Sequence, residues 1–307
     1  MAKKGGGLPK AEAAYCRELL KRVRAMEQLT RKVFAERIAP IFARLEDAVA
    51  RETGARLAAN ASRLPLLDEL SGRLADLYRS ATLQAGTELA ALNEAANALF
   101  SHAFASGLAK DFIGRLSFTS REEIGNEILT AAKHRASPLP ETKLRSIDLL
   151  ADKGIDGIVR GAVSDNVALI KSIPAKHFEA VEKAVRDGLA EGRTLKEVGR
   201  EISEIGGVSE RRGQFIARDQ AGSAYGNLST ARKQSLGLKK FKWITSHDER
   251  VRDSHRALDG RVFELATGAT GPGVAPEAEG LHPGEDFNCR CTEASVLEDI
   301  LEMLDGL

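Results

Sequence analysis

The chain has 307 residues, of which 43% are hydrophobic and 29% charged, with a formal net charge of +1. These are ordinary values for a globular protein of one to two domains, and they exclude a uniformly basic nucleic-acid coat or a strongly acidic disordered chain as whole-chain descriptions. Three cysteines, Cys16, Cys289 and Cys291, are too few for a secreted disulfide scaffold, so a reducing compartment is expected. No run approaches the roughly 18 apolar residues of a membrane span.

Residues 1 to 10 are Gly/Lys-rich and lack an apolar segment, so they read as a short disordered arm rather than a signal peptide. From Lys10 to Glu52, Leu19, Val23, Met26, Val33, Ile38, Ile41, Phe42 and Leu45 recur at steps of three and four, which predicts one long amphipathic helix with a kink at Pro40. A second long helix is predicted with Pro65 in its first turn, carrying Leu66, Leu70, Leu77, Leu89, Leu92 and Leu99. Ser120 followed by Glu123 reads as a capping box opening a further helix. Pro138 and Pro140 mark a linker, followed by a short apolar set at Leu144, Ile147 and Leu150.

Beyond the linker, Phe178, Val181, Val185 and Leu189 form a helix closed by Gly188 and Gly192. Thr194 and Glu197 form a second capping box, and Gly206-Gly207 is expected to stop the helix it opens. Ser209 then caps one more helix, which ends at Gly237. At Lys239 the texture changes. Phe241, Trp243 and Thr245 alternate with Lys240, Lys242 and Ile244, predicting a strand, and Arg261-Val262-Phe263 a second. A Gly/Pro-rich loop from Thr267 to Gly284 follows, then a short helix through Leu297, Ile300 and Leu304. The predicted fold class is mainly α, long amphipathic helices followed by a small α+β C-terminal module. The predicted divisions are an arm (1–10), a long-helix region (11–137), a helical lead-in (138–236) and the module with its acidic tail (237–307).

The neutral total conceals segregation. Residues 1–60 carry thirteen Lys/Arg against seven Asp/Glu, residues 208–256 eleven against five, and residues 257–307 two against eleven. Basic stretches suit phosphate backbones, which makes Arg211, Arg212, Arg232, Lys233, Lys239 and Lys240 candidate DNA or partner contacts. The alternative is a solvated helix face.

The densest polar cluster runs from Trp243 to Gly260 and resumes from His282 to Cys291. Three readings of it stand side by side. His255, His282, Cys289 and Cys291 are four zinc-type ligands, although paired zinc cysteines prefer two intervening residues and Cys-Arg-Cys has one. Alternatively, His247, Asp248, His255 and Asp286 supply a general base and its partner, with Cys289 beside Arg290 an activated thiol, as in a zinc- or thiol-dependent hydrolase. The third reading is mechanical. Asp248, Arg250, Arg252 and Asp259 knit ion pairs and turns, Asp259-Gly260 is a turn signal, Trp243 anchors the core, and Arg290 closes the module by reaching Asp248 or Asp259.

These residues also resemble a known family. A Trp-x-Thr-x-x-Asp-x-Arg-Val-Arg-x-x-His-x-x-Leu-Asp-Gly block (Trp243 to Gly260), a Gly/Pro-rich loop, then Pro-Gly-x-x-x-Asn-Cys-Arg-Cys (Pro283 to Cys291, with Asn288 and Arg290) is similar to the tailed-phage minor head proteins. They are also called the Mu F-like or SPP1 gp7-like head morphogenesis family. The likeness extends back through Gly192, Gly188 and Ile216-Ala-Arg-Asp219 to Asn166. Many relatives carry cysteines where this chain has Arg252 and His255. The resemblance implies a non-enzymatic structural protein inside the phage head near the portal, passing through the host cytoplasm during assembly. Its implied partners are the portal protein, the major capsid or scaffolding protein, and packaged double-stranded DNA held non-specifically. It implies no membrane association, and no cofactor beyond the zinc that the His/Cys cluster raises.

Overall fold

The computed structural model describes residues 7–58, 66–135, 140, 147 and 151–306. The protein is mainly α with a small three-stranded antiparallel sheet near its C-terminal end. The long helices are α1 (Gly7–Val33), α2 (Ala39–Ala58), α3 (Leu66–Leu99), α4 (His102–Ala132), α5 (Ile155–Ala190) and α6 (Leu195–Ser235). The module adds β1 (Lys240–Ile244), the one-turn helix α7 (Asp253–Arg256), β2 (Val262–Glu264), a 3-10 turn (Pro276–Ala278), β3 (Thr292–Ser295) and α8 (Leu297–Gly306). No helix among the described residues is long and apolar enough to cross a membrane.

Several expected punctuation marks hold. At the start of α6 the Thr194 N–H donates to Glu197 Oε2 at 2.8 Å and the Glu197 N–H returns to Thr194 Oγ1 at 3.4 Å, so each side chain satisfies a backbone donor that the helix leaves unpaired. Helix α5 closes with Gly192 at φ 66°, and the Arg193 N–H reaches back to Gly188 O at 2.9 Å. Gly237, at φ 80°, performs the same service after α6.

Other marks fail for physical reasons. Pro40 does not simply kink one helix. The segment Phe34–Ile38 just before it is a π-helical turn, closed by the Ala39 N–H on Phe34 O. Ser120 opens nothing, because α4 runs through it and buries it completely. The true start of α4 lies at Ser101, whose Oγ accepts the Phe104 N–H at 3.3 Å. Gly206 and Gly207 do not stop α6, which continues for 41 residues to Ser235. Gly206 serves close approach instead, as does Gly213 further along: a Cβ at Gly206 would stand 3.1 Å from Glu27 Cδ, and one at Gly213 3.2 Å from Leu20 Cδ2. Ser209 is a mid-helix residue whose Oγ lies 3.2 Å from Ile205 O. Helix α1 already begins at Gly7, inside the stretch expected to be an arm. The expected linker at Pro138, together with Leu144 and Leu150, lies outside the described residues.

The chain forms two compact units, each assembled from separated segments. One comprises Leu19–Phe104 and Leu169–Gly213. Its core is an all-helical layer of Ile38, Phe42, Leu89, Leu92, Val185, Val198 and Ile202, all buried. At its centre His177 bridges two hydroxyls: Nδ1 lies 2.9 Å from Ser209 Oγ and Nε2 lies 2.8 Å from Thr30 Oγ1. The other unit comprises the N-terminal segment to Glu18, Ala105–Ala168 and Gln214 to the C-terminal end. There Tyr15 stacks on Phe112 with ring centroids 4.1 Å apart and donates its hydroxyl to Asn166 Oδ1 at 2.7 Å.

In that second unit the strands are ordered β2-β1-β3, both pairings antiparallel. Phe241 and Trp243 on β1 point into a core shared with Phe263, Leu258, Cys289, Cys291, Ile300 and Leu304, and with Ile124 and Ile128 of α4. Lys240 and Lys242 face outward, as alternation along a strand requires. Asp299, in the first turn of α8, accepts the Lys239 and Lys240 N–H groups at 2.7 and 2.9 Å, which ties the last helix to the start of the sheet.

Candidate functional site

The residues singled out from the sequence converge on the face of the module where the Gly/Pro-rich loop returns to the sheet. Trp243 is fully buried beneath this face. Asp259 accepts the Thr245 N–H at 2.8 Å and the Thr245 hydroxyl at 3.0 Å, so the chain leaving β1 is fixed by the residue that ends the next turn. Gly260 sits at φ 75° and returns its N–H to Trp243 O at 2.8 Å. The backbone there is left-handed, which glycine adopts without steric cost. Arg290 reaches Asp248 Oδ1 at 2.7 Å, one of the two acidic partners expected for it. Asp248 also accepts the Arg250 N–H at 3.0 Å, while the Arg250 side chain is exposed. Arg252 grips the returning loop twice, at Phe287 O (2.7 Å) and Asp286 Oδ2 (3.0 Å). Asn288, left-handed at φ 54°, gives its N–H to Asp219 Oδ1 on α6 at 2.8 Å.

The seat of this loop on α6 was missed in the sequence. Gly222 and Gly226 lie one helical turn apart on the side facing the loop. A Cβ at Gly222 would stand 2.5 Å from Cys289 O, and one at Gly226 2.5 Å from Pro283 O. Across from them, a Cβ at Gly284 would stand 2.5 Å from Gly222 O, and the Ser223 hydroxyl donates to Gly284 O at 3.1 Å. The run Ala221-Gly-Ser-Ala-Tyr-Gly226 carried the signal, since small residues at helical spacing permit backbone-to-backbone approach.

Of the four zinc-type residues, three come together and one does not. His255 Nδ1 lies 3.6 Å from Cys289 Sγ and 3.7 Å from Cys291 Sγ. All three side chains are buried. The ring's other nitrogen, Nε2, faces Asp286 Oδ2 at 3.4 Å. The Cys291 thiol hydrogen-bonds Cys289 and, with His255, lowers the Cys289 pKa against the opposing effect of burial, while the Cys291 pKa is raised. His282 belongs to a different group. It stacks on Phe241 with centroids 5.1 Å apart, and its Nδ1 lies 3.9 Å from Glu293 Oε2. Glu293 is paired at 3.2 Å with Lys233 Nζ, and both side chains are 1% exposed. Burial alone would raise the Glu293 carboxyl, but Lys233, His282 and Ser229 outweigh it and hold the pKa below the usual range.

The expected acid–base set is likewise divided. His247 is exposed and faces Asp259 Oδ2 at 3.5 Å, and Asp248 is engaged with Arg290, so neither joins His255. Among the candidate DNA or partner contacts, Arg232 and Lys233 are buried and therefore form no surface. Arg232 reaches Ser117 Oγ at 2.8 Å and Asp152 at 3.3 Å, and Lys233 holds Glu293. Arg212 is half-buried on Ser172 Oγ at 2.9 Å. Arg211, Lys239 and Lys240 are exposed.

Beside the Cys289–Cys291 segment a cleft of about 390 Å³ opens, lined by both cysteines, Thr245, Gly222, Tyr225 and Glu123 among others. Burial raises the Glu123 carboxyl, which accepts the Tyr225 hydroxyl. Burial likewise raises Glu12, against the pull of Arg218 and Arg290.

Comparison with known proteins bears on this module directly. The chain is 35% identical over 184 residues to an uncharacterized protein of Haemophilus influenzae, a match covering 59% of this chain and 38% of that protein. It is 30% identical over 120 residues to an Enterococcus faecalis protein named NAD(+)–arginine ADP-ribosyltransferase, covering 37% and 24% of the two chains. An uncharacterized protein of Methanocaldococcus jannaschii is 30% identical over 124 residues, 40% of this chain and 18% of that one. The chain thus spans well under half the length of these curated relatives. No solved structure matches. Residues 179–294, which contain the capping box of α6, the glycine seat and the whole Trp243-to-Cys291 module, match the phage Mu protein F like family.

Proposed function

We propose that this chain is a minor structural protein of a tailed-phage head, bound inside the capsid near the portal vertex and acting in head assembly, DNA packaging or genome delivery. The observation that supports it most is the coincidence of the family match over residues 179–294 with the folded, cross-braced module. Nearly every motif residue there has a mechanical task. Asp259, Gly260, Arg252, Asn288 and Arg290 each fix a loop or a turn. That is the economy of a scaffold, in which polar residues are consumed in holding the chain rather than left aimed at a substrate. The portal and the capsid or scaffolding protein are its proposed partners, and packaged DNA a non-specific one, met through exposed cations such as Lys239 and Lys240.

The transferase activity in the name of the Enterococcus faecalis relative is not carried over, because the matched stretch covers only 24% of that protein. Co-expression with the portal protein, affinity capture and mass spectrometry of purified heads test the proposal. The expected result is co-purification with the portal at a few copies per head. Absence from heads together with no portal association overturns it. Incubation with NAD and an arginine acceptor is expected to give no ADP-ribosyl transfer.

A further inference from the structure

We propose that His255, Cys289 and Cys291 form a zinc site, with His255 coordinating through Nδ1, Asp286 orienting its ring, and the fourth position opening to the adjacent cleft. The argument starts from distances. A tetrahedral zinc with Zn–S of about 2.3 Å and Zn–N of about 2.0 Å places each sulfur about 3.5 Å from the coordinating nitrogen. The two sulfurs here lie 3.6 and 3.7 Å from His255 Nδ1, and the three ligand atoms all fall within 4.8 Å of one another. A single Nδ1–H can aim at one sulfur only, whereas two sulfurs at equal range from one ring nitrogen is the arrangement a shared cation produces.

The surroundings agree. His255 Nε2 lies 3.4 Å from Asp286 Oδ2 and has no hydrogen-bond partner; a carboxylate in this place fixes the tautomer and ring plane of a metal-bound histidine once the ring turns to it. Asp286 is itself held by Arg252 at 3.0 Å. Two soft sulfurs and one imidazole select zinc over calcium or magnesium. The competing use of the trio, a Cys289 nucleophile served by His255 and Asp286, needs an accessible sulfur, and Cys289 is only 4% exposed.

Such a site has a purpose in the fold. It joins α7, which carries His255, to the segment entering β3, and so fastens the long Gly/Pro-rich loop at its far end. A three-stranded sheet of this size gains much from such a staple. His282, the fourth residue expected for zinc, is replaced by an exchangeable water from the cleft. This inference is independent of the head-protein reading, and a zinc-free protein that still binds the portal would overturn only the inference.

The test is cobalt(II) titration of the reduced full-length protein, with zinc content by elemental analysis. The expected result is about one equivalent of metal and a thiolate-to-cobalt charge-transfer band that zinc displaces. Cys289→Ser should lose most of the band, His255→Gln should lose binding, and Asp286→Asn should weaken zinc affinity by roughly 10–100-fold in chelator competition with the band retained. His282→Gln should leave affinity unchanged. A wild-type protein that binds cobalt without the charge-transfer band, or substoichiometrically, overturns the proposal even where a variant fails to fold. Rapid alkylation of Cys289 at a rate that zinc does not change overturns it in favour of a nucleophilic thiol.

Discussion

His177 makes a quantitative prediction about acid stability. The imidazole is 3% exposed and has a hydroxyl at each nitrogen, Thr30 at 2.8 Å and Ser209 at 2.9 Å. Thr30 spends its proton on Met26 O at 3.0 Å, so it accepts from Nε2–H, and Ser209, whose one proton can serve Ile205 O at 3.2 Å or Nδ1 at 2.9 Å, gives it to the closer Nδ1. A neutral ring satisfies every partner. A second ring proton would have to displace the Ser209 donor, and burial lowers the pKa from 6.5 to about 4. Below pH 6.5 the unfolded chain therefore binds a proton that the folded chain refuses. Stability is fully present above 6.5 and falls as the pH drops toward 4. At 1.36 kcal/mol per pKa unit, the loss is about 2.5 kcal/mol by pH 4.5. Urea unfolding of wild type and His177→Gln, at pH 7.5 and 4.5, isolates it, because carboxylate contributions common to both proteins cancel. The wild type should lose about 2.5 kcal/mol more than the variant over that interval. Parallel losses, equal within a few tenths of a kcal/mol, would refute the neutral-ring account.

Three further outcomes are expected. Lys233→Met, which strands the Glu293 carboxylate at 1% exposure, should cost about 3–5 kcal/mol in chemical denaturation, and Lys233→Met with Glu293→Gln should recover most of it. Gly222→Ala, whose Cβ meets Cys289 O at 2.5 Å, should destabilise by about 1–3 kcal/mol, whereas Gly161→Ala in the exposed middle of α5 should stabilise by about 0.5–1 kcal/mol. Melting curves of both variants check the contrast. Arg290→Ala should lower stability by only about 1 kcal/mol or less, since Arg290 and Asp248 are 31% and 36% exposed. Complete unfolding of the module in that variant would mean Arg290 is far more tightly coupled than its geometry shows.

The elements most legible in the sequence were those governed by local chemistry. The Thr194–Glu197 cap, the Gly192 and Gly237 stops, the alternation of Phe241 and Trp243, and the terminal helix all depend on residues within a few positions of one another. What failed depended on distant partners. Gly206-Gly207 looked like a stop because an isolated helix is weakened by paired glycines, but packing against Glu27 overrides propensity. Ser120 and Glu123 have the spacing of a cap, yet Glu123 is occupied by Tyr225, about a hundred residues away. The site shows the same division. Its residue types and the tie of Arg290 to an acidic side chain were readable. The placement of His282 on Phe241 beside Glu293, away from the two sulfurs, was not, because only the folded loop decides which ring turns to which sulfur. Arg232 and Lys233 read as surface cations and are buried, since their acidic partners Asp152 and Glu293 lie 80 and 60 positions away in the chain.

Helices α5 and α6 each begin in one compact unit and end in the other, with the changeovers at Ala168/Leu169 and Gly213/Gln214. The stretch that matches the family, residues 179–294, therefore takes part of each unit and completes neither. It omits Ile124 and Ile128 of α4 and Ile300 and Leu304 of α8, which close the core around Trp243, and it omits the α2 and α3 residues that share a core with Val185 and Val198. The recognisable segment is thus not a cassette that could be cut out and transplanted. In this chain, helices from outside its borders supply the residues that finish both cores.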